Sequence, residues 1–277
     1  MGLQNFTPKI WAGAMLVRLR KVLVHASVVN RDYEGEIRSY GDTVKINEIG
    51  AVTVNDYTKG DSLTWQTLTS AQKELLIDQA KSFSFSIDDI DMAQNKPKVL
   101  MGAMSEAAYA VADTIDQHLA GLYTQAGNSV DALTVTAGNV LKNLSDMQLK
   151  LNEANVPTEG RFVVLPPWYI QHLVNAATGI ISATAVPKVF DDGMLVNGFV
   201  GSLFGMNILM SNNVNNNGTV WNVMAFTRQA ITHAGQIAKI AAVERESYFD
   251  QGVKGLYLYG SKVVRPEAMV KCAATKG

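Results

Sequence analysis

PKVLMGAMSEAAYAVADTIDQHLAGLY, residues 97–123, decides how the rest of the chain is organised. Leu100, Met104, Ala108, Val111, Ile115, Leu119 and Leu122 follow one another at steps of four, four, three, four, four and three, the repeat of one helical face. Glu106, Asp113, Asp116 and Gln117 lie off that stripe. Pro97 suits a first helical turn, where its missing N–H leaves nothing unsatisfied. At 1.5 Å per residue the helix would be about 40 Å long, which predicts a spine for other elements to pack against.

Upstream, the sequence reads as a long β excursion over residues 41–88. Thr43–Ile46 and Ala51–Val54 are predicted strands, punctuated by Gly50 and Gly60. From Lys73 to Ile87 the odd positions Leu75, Ile77, Phe83 and Phe85 alternate with polar residues, the period of a half-buried strand. Between the outward and returning strands lies VNDYTKGDSLTWQT, residues 54–67, a polar stretch that still carries Tyr57, Leu63 and Trp65. A two-stranded ribbon alone is marginal in water, so these side chains are expected to bury against a surface the ribbon does not itself supply.

The N-terminal segment places Trp11, Met15, Leu19 and Val22 on one helical face, with Arg18 and Lys21 off it. Lys9, Arg18, Arg20, Lys21 and Arg31 all precede the first carboxylate, Asp32. It is a basic arm on a body whose net charge is −1, so the chain as a whole has no electrostatic pull toward nucleic acid or an anionic membrane. Downstream of the spine, a helix over residues 138–155, a buried strand in RFVVLPP (161–167) and a short helix over 168–177 predict a mixed α/β region. SNNVNNNG at 211–218 is turn chemistry, and strand alternation returns from Ile237 to Cys272.

The composition, 47% hydrophobic and 18% charged over 277 residues, is that of a folded globular chain. The single cysteine, Cys272, excludes an intrachain disulfide and a multi-cysteine zinc site, and fits a reducing compartment. Ile10–Val17 is too short to span a bilayer and reads as amphipathic helix, not leader. Without export, the Asn-x-Ser/Thr matches at Asn5, Asn143 and Asn217 carry no weight.

Catalytic and metal motifs are thin. Ser70-Ala-Gln-Lys73 matches a Ser-x-x-Lys pattern, but that chemistry needs a helix and the segment runs into a strand. GLYLYGSK at 255–262 approaches a phosphate loop, yet alternating Leu and Tyr make it a strand. His25, His118, His172 and His233 show no metal-ligand spacing. Asp88, Asp89 and Asp91 lack the further oxygen ligands that calcium needs and are expected to favour the positive end of the spine helix. No cofactor and no catalytic residue is expected.

The order of the pieces resembles the major capsid proteins of tailed bacteriophages, a fold shared with the herpesvirus capsid floor and encapsulin shells. The similar stretches are GDTVKI (41–46), SFSFSIDDID (82–91), the helix from Pro97, FVVLPPWYIQHL (162–173), GSLFGMNILMSNNV (201–214) and VERESYFDQGVKGLYLYGSKVVRPEAMV (243–270). The resemblance implies an α+β chain: an N-terminal arm (1–35), an extended β-hairpin loop (36–90) and the spine helix of a peripheral domain (91–128). An axial domain (129–235) and the returning strands of the peripheral domain (236–277) complete it.

It further implies a structural protein, not an enzyme, that assembles with itself into hexamers and pentamers. These would form an icosahedral head around double-stranded DNA without sequence-specific binding or a membrane. Localisation would then be the virion, after assembly in the host cytoplasm. A separate scaffolding protein, a portal and a decoration protein are implied partners, the first because no long extension precedes the arm. Tyr57, Lys59, Leu63, Trp65, Trp11, Arg18, Arg20, Lys21, Asp88, Asp89 and Asp91 are the expected subunit-interface residues, the basic arm meeting acids of a neighbour such as those around Asp88. Some such proteins cross-link a loop lysine to a neighbour's asparagine. Lys59 lies near that place, but neither the asparagine nor a catalytic glutamate finds a match. The rival expectations are an encapsulin-type compartment and a soluble serine hydrolase using Ser70 and Lys73.

Overall fold

The computed structural model describes residues 24–33, 41–49, 52–56, 59–60, 62, 65–67, 70–88, 98–180, 199–244 and 250–277. A one-turn helix α1 (His25–Val28) precedes strands β1 (Thr43–Ile49), β2 (Ser70–Leu76) and β3 (Gln79–Asp88). The spine helix α2 (Lys98–Gly121) follows, then β4 (Asn128–Val135), α3 (Val140–Glu153), β5 (Arg161–Leu165) and α4 (Pro167–Ile180). The chain closes with β6 (Phe199–Leu203), β7 (Met206–Met210), β8 (Val220–Thr227), β9 (Ile231–Glu244), β10 (Asp250–Val263) and β11 (Met269–Lys276).

The described strands form three sheets: the ribbon β1-β2, a three-stranded β3-β10-β9, and a six-stranded β4-β11-β8-β5-β7-β6. The last is mixed, with β11 parallel to β4 and β5 parallel to β7. Helix α2 is 24 residues long, about 36 Å, and tightens into a 3-10 turn at Leu122–Gln125. Its predicted stripe is real: Ala108, Val111, Ile115, Leu119 and Leu122 are buried, and Met104 is partly buried against them. They share one core with α3, β5, β8 and β11.

Two strand predictions need correction. The alternating stretch from Lys73 to Ile87 is two strands in two different sheets, β2 pairing with β1 and β3 with β10. Alternation reports which face is buried but not which partner a strand has. Leu75 and Ile77 join a small core with Val44 and Ile46, whereas Phe83 and Phe85 pack against the main one. The corner between them crosses Gly260, where an added Cβ would overlap the Leu76 carbonyl oxygen and approach Ile77 Cδ1 at 3.0 Å. The strand predicted over Ala51–Val54 does not form at Val52–Val54. Thr53 instead donates its N–H to Gln66 Oε1 at 2.8 Å, a side-chain bond in place of a ladder bond.

Candidate assembly surface

The ribbon has a fixed base and a bare tip. At the base, Val44, Ile46, Leu75 and Ile77 pack with Ala234 of β9, Leu258 of β10 and Val264 just past β10. Lys73 Nζ donates to the Val264 carbonyl at 2.6 Å, and Lys262 Nζ donates to the Glu74 carbonyl at 2.9 Å. The expectation that the ribbon cannot stand alone is therefore half corrected, because its own chain supplies a core for the base. At the tip, Val52, Val54 and Trp65 are 67%, 93% and 90% exposed. Large apolar side chains held that far into water gain nothing in the isolated chain.

Lys59 is exposed in a turn with Gly60, whose φ of 103° glycine adopts without strain. Trp65 and Lys59 thus share the tip. Tyr57, Leu63, Trp11, Arg18, Arg20, Lys21, Asp89 and Asp91 lie outside the described residues, and for Asp88 the backbone alone is described, opposite Asp250 at the end of β3. Ser70 and Lys73 both sit in β2, not on a helix. Residues three apart in a strand are about 10 Å apart, too far for the relay that a Ser-x-x-Lys helix turn provides. Lys73 is moreover bonded to a carbonyl.

Sequence patterning missed the joint between α1 and α2. Asp116, which the sequence places off the apolar stripe, is only 3% exposed. Its Oδ1 accepts the His25 N–H at 2.8 Å, and its Oδ2 accepts from Asn213 Nδ2 at 3.1 Å and Ser211 Oγ at 3.4 Å. His25 Nδ1 lies 3.0 Å from Oδ1, near enough for charge attraction but not aligned as a hydrogen bond. Burial alone would raise the Asp116 carboxyl, but His25 and Asn213 outweigh it and hold the group below its ordinary range. A signal existed: Ala112, Asp116 and Ala120 repeat every four residues, and all are buried. They form a second row beside Ile115 and Leu119, its alanines small enough for close approach.

Two further histidines lie at the meeting of α2, β9 and β10, His233 buried and His118 partly so. His118 meets the Tyr259 ring edge-on at 5.2 Å, and His233 lies 6.0 Å from the same ring with Nδ1 2.8 Å from Ser261 Oγ. Burial lowers both, His233 to about 3. In the sheet domain Tyr169 OH donates to Asn143 Oδ1 at 2.8 Å, and Asn143 Nδ2 donates to Cys272 Sγ at 3.2 Å. Burial pushes the thiol up, away from nucleophilic character, and Asn143 is too buried to accept a glycan in the folded chain. Among the described residues no three His, Cys, Asp or Glu side chains converge as a metal site, and no helix is long and apolar enough to cross a membrane.

A spine helix, a mixed sheet domain and an anchored ribbon with an unburied aromatic tip define the class: a subunit of the tailed-phage major capsid fold. Residues 51–272 match the phage capsid protein family, and the chain belongs to it. The fold aligns with a structure of Mycobacterium phage Che8 at 28% identity and TM-score 0.69, covering 90% of each chain. It aligns with the capsid of cyanophage P-SCSP1u at 18% identity and TM-score 0.67, covering 92% of this chain and 88% of that one. A virus-like particle from Pyrococcus furiosus aligns at 14% identity and TM-score 0.58, covering 95% and 98%. No curated protein matches the chain by sequence.

Proposed function

We propose that this chain assembles with itself into hexamers and pentamers that close an icosahedral head around double-stranded DNA. The observation that carries this is the ribbon: its base is locked into its own subunit, while Val52, Val54 and Trp65 are presented to water. Many identical contacts of modest strength, closed by symmetry, give a strong shell from weak joints. In this reading residues 1–35 are the arm, 36–90 the extended loop, 91–128 the spine, 129–235 the axial domain and 236–277 the returning strands. Tyr57, Lys59 and Leu63 join Trp65 at the subunit contact, and the arm residues Trp11, Arg18, Arg20 and Lys21 meet a neighbour's acids around Asp88, Asp89 and Asp91. The role is structural, in the virion after assembly in the host cytoplasm. A separate scaffolding protein, a portal and a decoration protein are its partners.

Trp65→Ala tests the reading directly. The variant melts like the parent but yields few or no particles by electron microscopy; particles of normal size and yield would overturn the assignment. Ser70→Ala leaves particle yield unchanged. The likeness to the Pyrococcus furiosus virus-like particle favours a second reading, an encapsulin-type compartment. Nucleic acid inside purified particles supports a phage head, and a protein cargo supports the compartment.

A further inference from the structure

Strands β9 and β10 are held on both faces. One face, through Ala234 and Leu258, carries the base of the ribbon. The alternate residues face the end of the spine, where Tyr259 stands opposite Gly235 of β9 and Gln79 of β3. His118, in the last turn of α2, approaches the Tyr259 ring edge-on at 5.2 Å, and His233 of β9 lies 6.0 Å from it. The segment after α1 arrives at the same place: Asn30 bridges to Thr232, and its carbonyl accepts the His233 N–H at 2.9 Å. Two imidazoles therefore stand where the spine, the sheet and the segment after α1 come together.

Neither ring is tied down as a purely structural histidine is. Nε2 of each is buried without a hydrogen-bond partner among the described residues, and His233 makes its side-chain bond through Nδ1, 2.8 Å from Ser261 Oγ. A buried nitrogen without a partner is a cost to the fold, and a phenylalanine would fill similar space without it. What an imidazole adds is a proton site that titrates between pH 5 and 8. The surroundings oppose the charge. Asp78, at the corner between β2 and β3, attracts a proton to His118, but Lys81 of β3 repels it, and Arg31 and His118 itself repel one on His233. The neighbours on β10, Tyr257, Tyr259 and Ser261, carry no charge at neutral or acid pH. The Tyr257 hydroxyl and His233 Nε2 both crowd Gly235, where an added Cβ would overlap the first and lie 3.1 Å from the second, so the joint is closed to any further side chain.

We propose that this joint is an acid-operated release: with both rings neutral the last turn of the spine is docked on β9 and β10, and proton uptake at His118 undocks it while the six-stranded sheet stays folded. His118 is the entry point because it is partly exposed and His233 is not. The sign follows from burial, which lowers both imidazoles in the closed joint, whereas in the opened joint each binds a proton in the ordinary histidine range, near pH 6.5. The opened joint thus holds more protons, and its population rises as the pH falls, by up to about tenfold per pH unit for each proton taken up. The device belongs to the single chain and does not depend on the shell-forming function proposed above.

Hydrogen exchange of the unassembled subunit, followed by mass spectrometry at pH 7 and pH 5 and corrected for the intrinsic rate, provides the test. Protection of peptides covering residues 115–125 and 231–237 is expected to drop about tenfold or more at pH 5, with peptides of β5 and β8 unchanged. A loss spread equally over β5 and β8 would overturn the local release. His118→Phe keeps a ring against Tyr259 and has no proton to take up, so it is expected to hold its pH 7 protection at pH 5. A pH dependence in this variant as steep as the parent's would also overturn the proposal. His118→Gln, uncharged at both pH values, separates charge from ring packing. It is expected to show the same flat pH dependence as His118→Phe, even where its protection is lower at both pH values. A dependence as steep as the parent's in His118→Gln would assign the effect to another group and sink the role given to His118.

Discussion

His233 is a neutral side chain in a place that tolerates no charge. Its Nδ1 meets Ser261 Oγ, its Nε2 has no hydrogen-bond partner among the described residues, and the positive Arg31 adds to the cost that burial puts on the imidazolium. The folded chain keeps the ring unprotonated down to about pH 3, whereas the unfolded chain takes up a proton near pH 6.5. Between those values the unfolded state binds more protons, so stability falls as the pH is lowered through that window and is fully present above it. His233→Gln retains a polar group for Ser261 and is expected to flatten this dependence. Urea unfolding of both proteins from pH 7 to pH 4 checks it, and parallel curves would exclude His233 as the source.

Gly260 is a second position where one atom decides the structure. Gly260→Ala pushes a methyl group into the Leu76 carbonyl and is expected to cost about 1–3 kcal/mol, read as a lowered melting temperature. Neither residue was legible in sequence. A buried histidine and a surface one look alike in a string, and the crossing at Gly260 joins segments more than 180 residues apart.

Among the elements, the spine helix was the most legible because its stripe is long and unbroken. Asp116 was lost for the same reason: a carboxylate beside an apolar stripe is ordinarily solvated, and only the fold shows His25, Ser211 and Asn213 converging on it. Asp116→Ala leaves the His25 N–H and the Ser211 hydroxyl without their acceptor and removes one of the two acceptors of the Asn213 amide, with an expected cost of about 2–4 kcal/mol. Asp113→Ala, which takes Asn213 Nδ2 at 2.7 Å in a partly exposed setting, is expected to cost less than half as much. Chemical denaturation of the two variants makes the comparison, and equal losses would refute the role given to Asp116 in docking α1. The ribbon was legible as a ribbon but not as an anchored one. Its small core uses Ala234, Leu258 and Val264, far downstream, and nothing local to residues 41–77 announces them.

At the scale of the whole molecule, ribbon and body have opposite relations to water. The body closes its own core, while the tip leaves Val54 and Trp65 almost wholly exposed and sits on a base fixed by Lys73 and Lys262. The described part of the tip thus stands on a root held by its own chain, and its exposed indole is available for a contact. Sequence alone indicated that the tip needed a partner, since its aromatics had no local core, but whether the root was free or fixed depended on tertiary packing.

The division predicts where protease acts. In unassembled subunits, a low concentration of a protease that cuts beside aromatic residues should cleave at Trp65 before any site in β8 or β11, where Val223, Phe226 and Met269 are fully buried. In assembled particles the same bond should be protected, because the contact that buries the indole also holds the backbone away from the enzyme. Mass spectrometry of early digestion products from both forms separates the outcomes. Equal cleavage at Trp65 before and after assembly would mean that the tip remains free in the shell, and the subunit contact would then have to be sought elsewhere on the molecule.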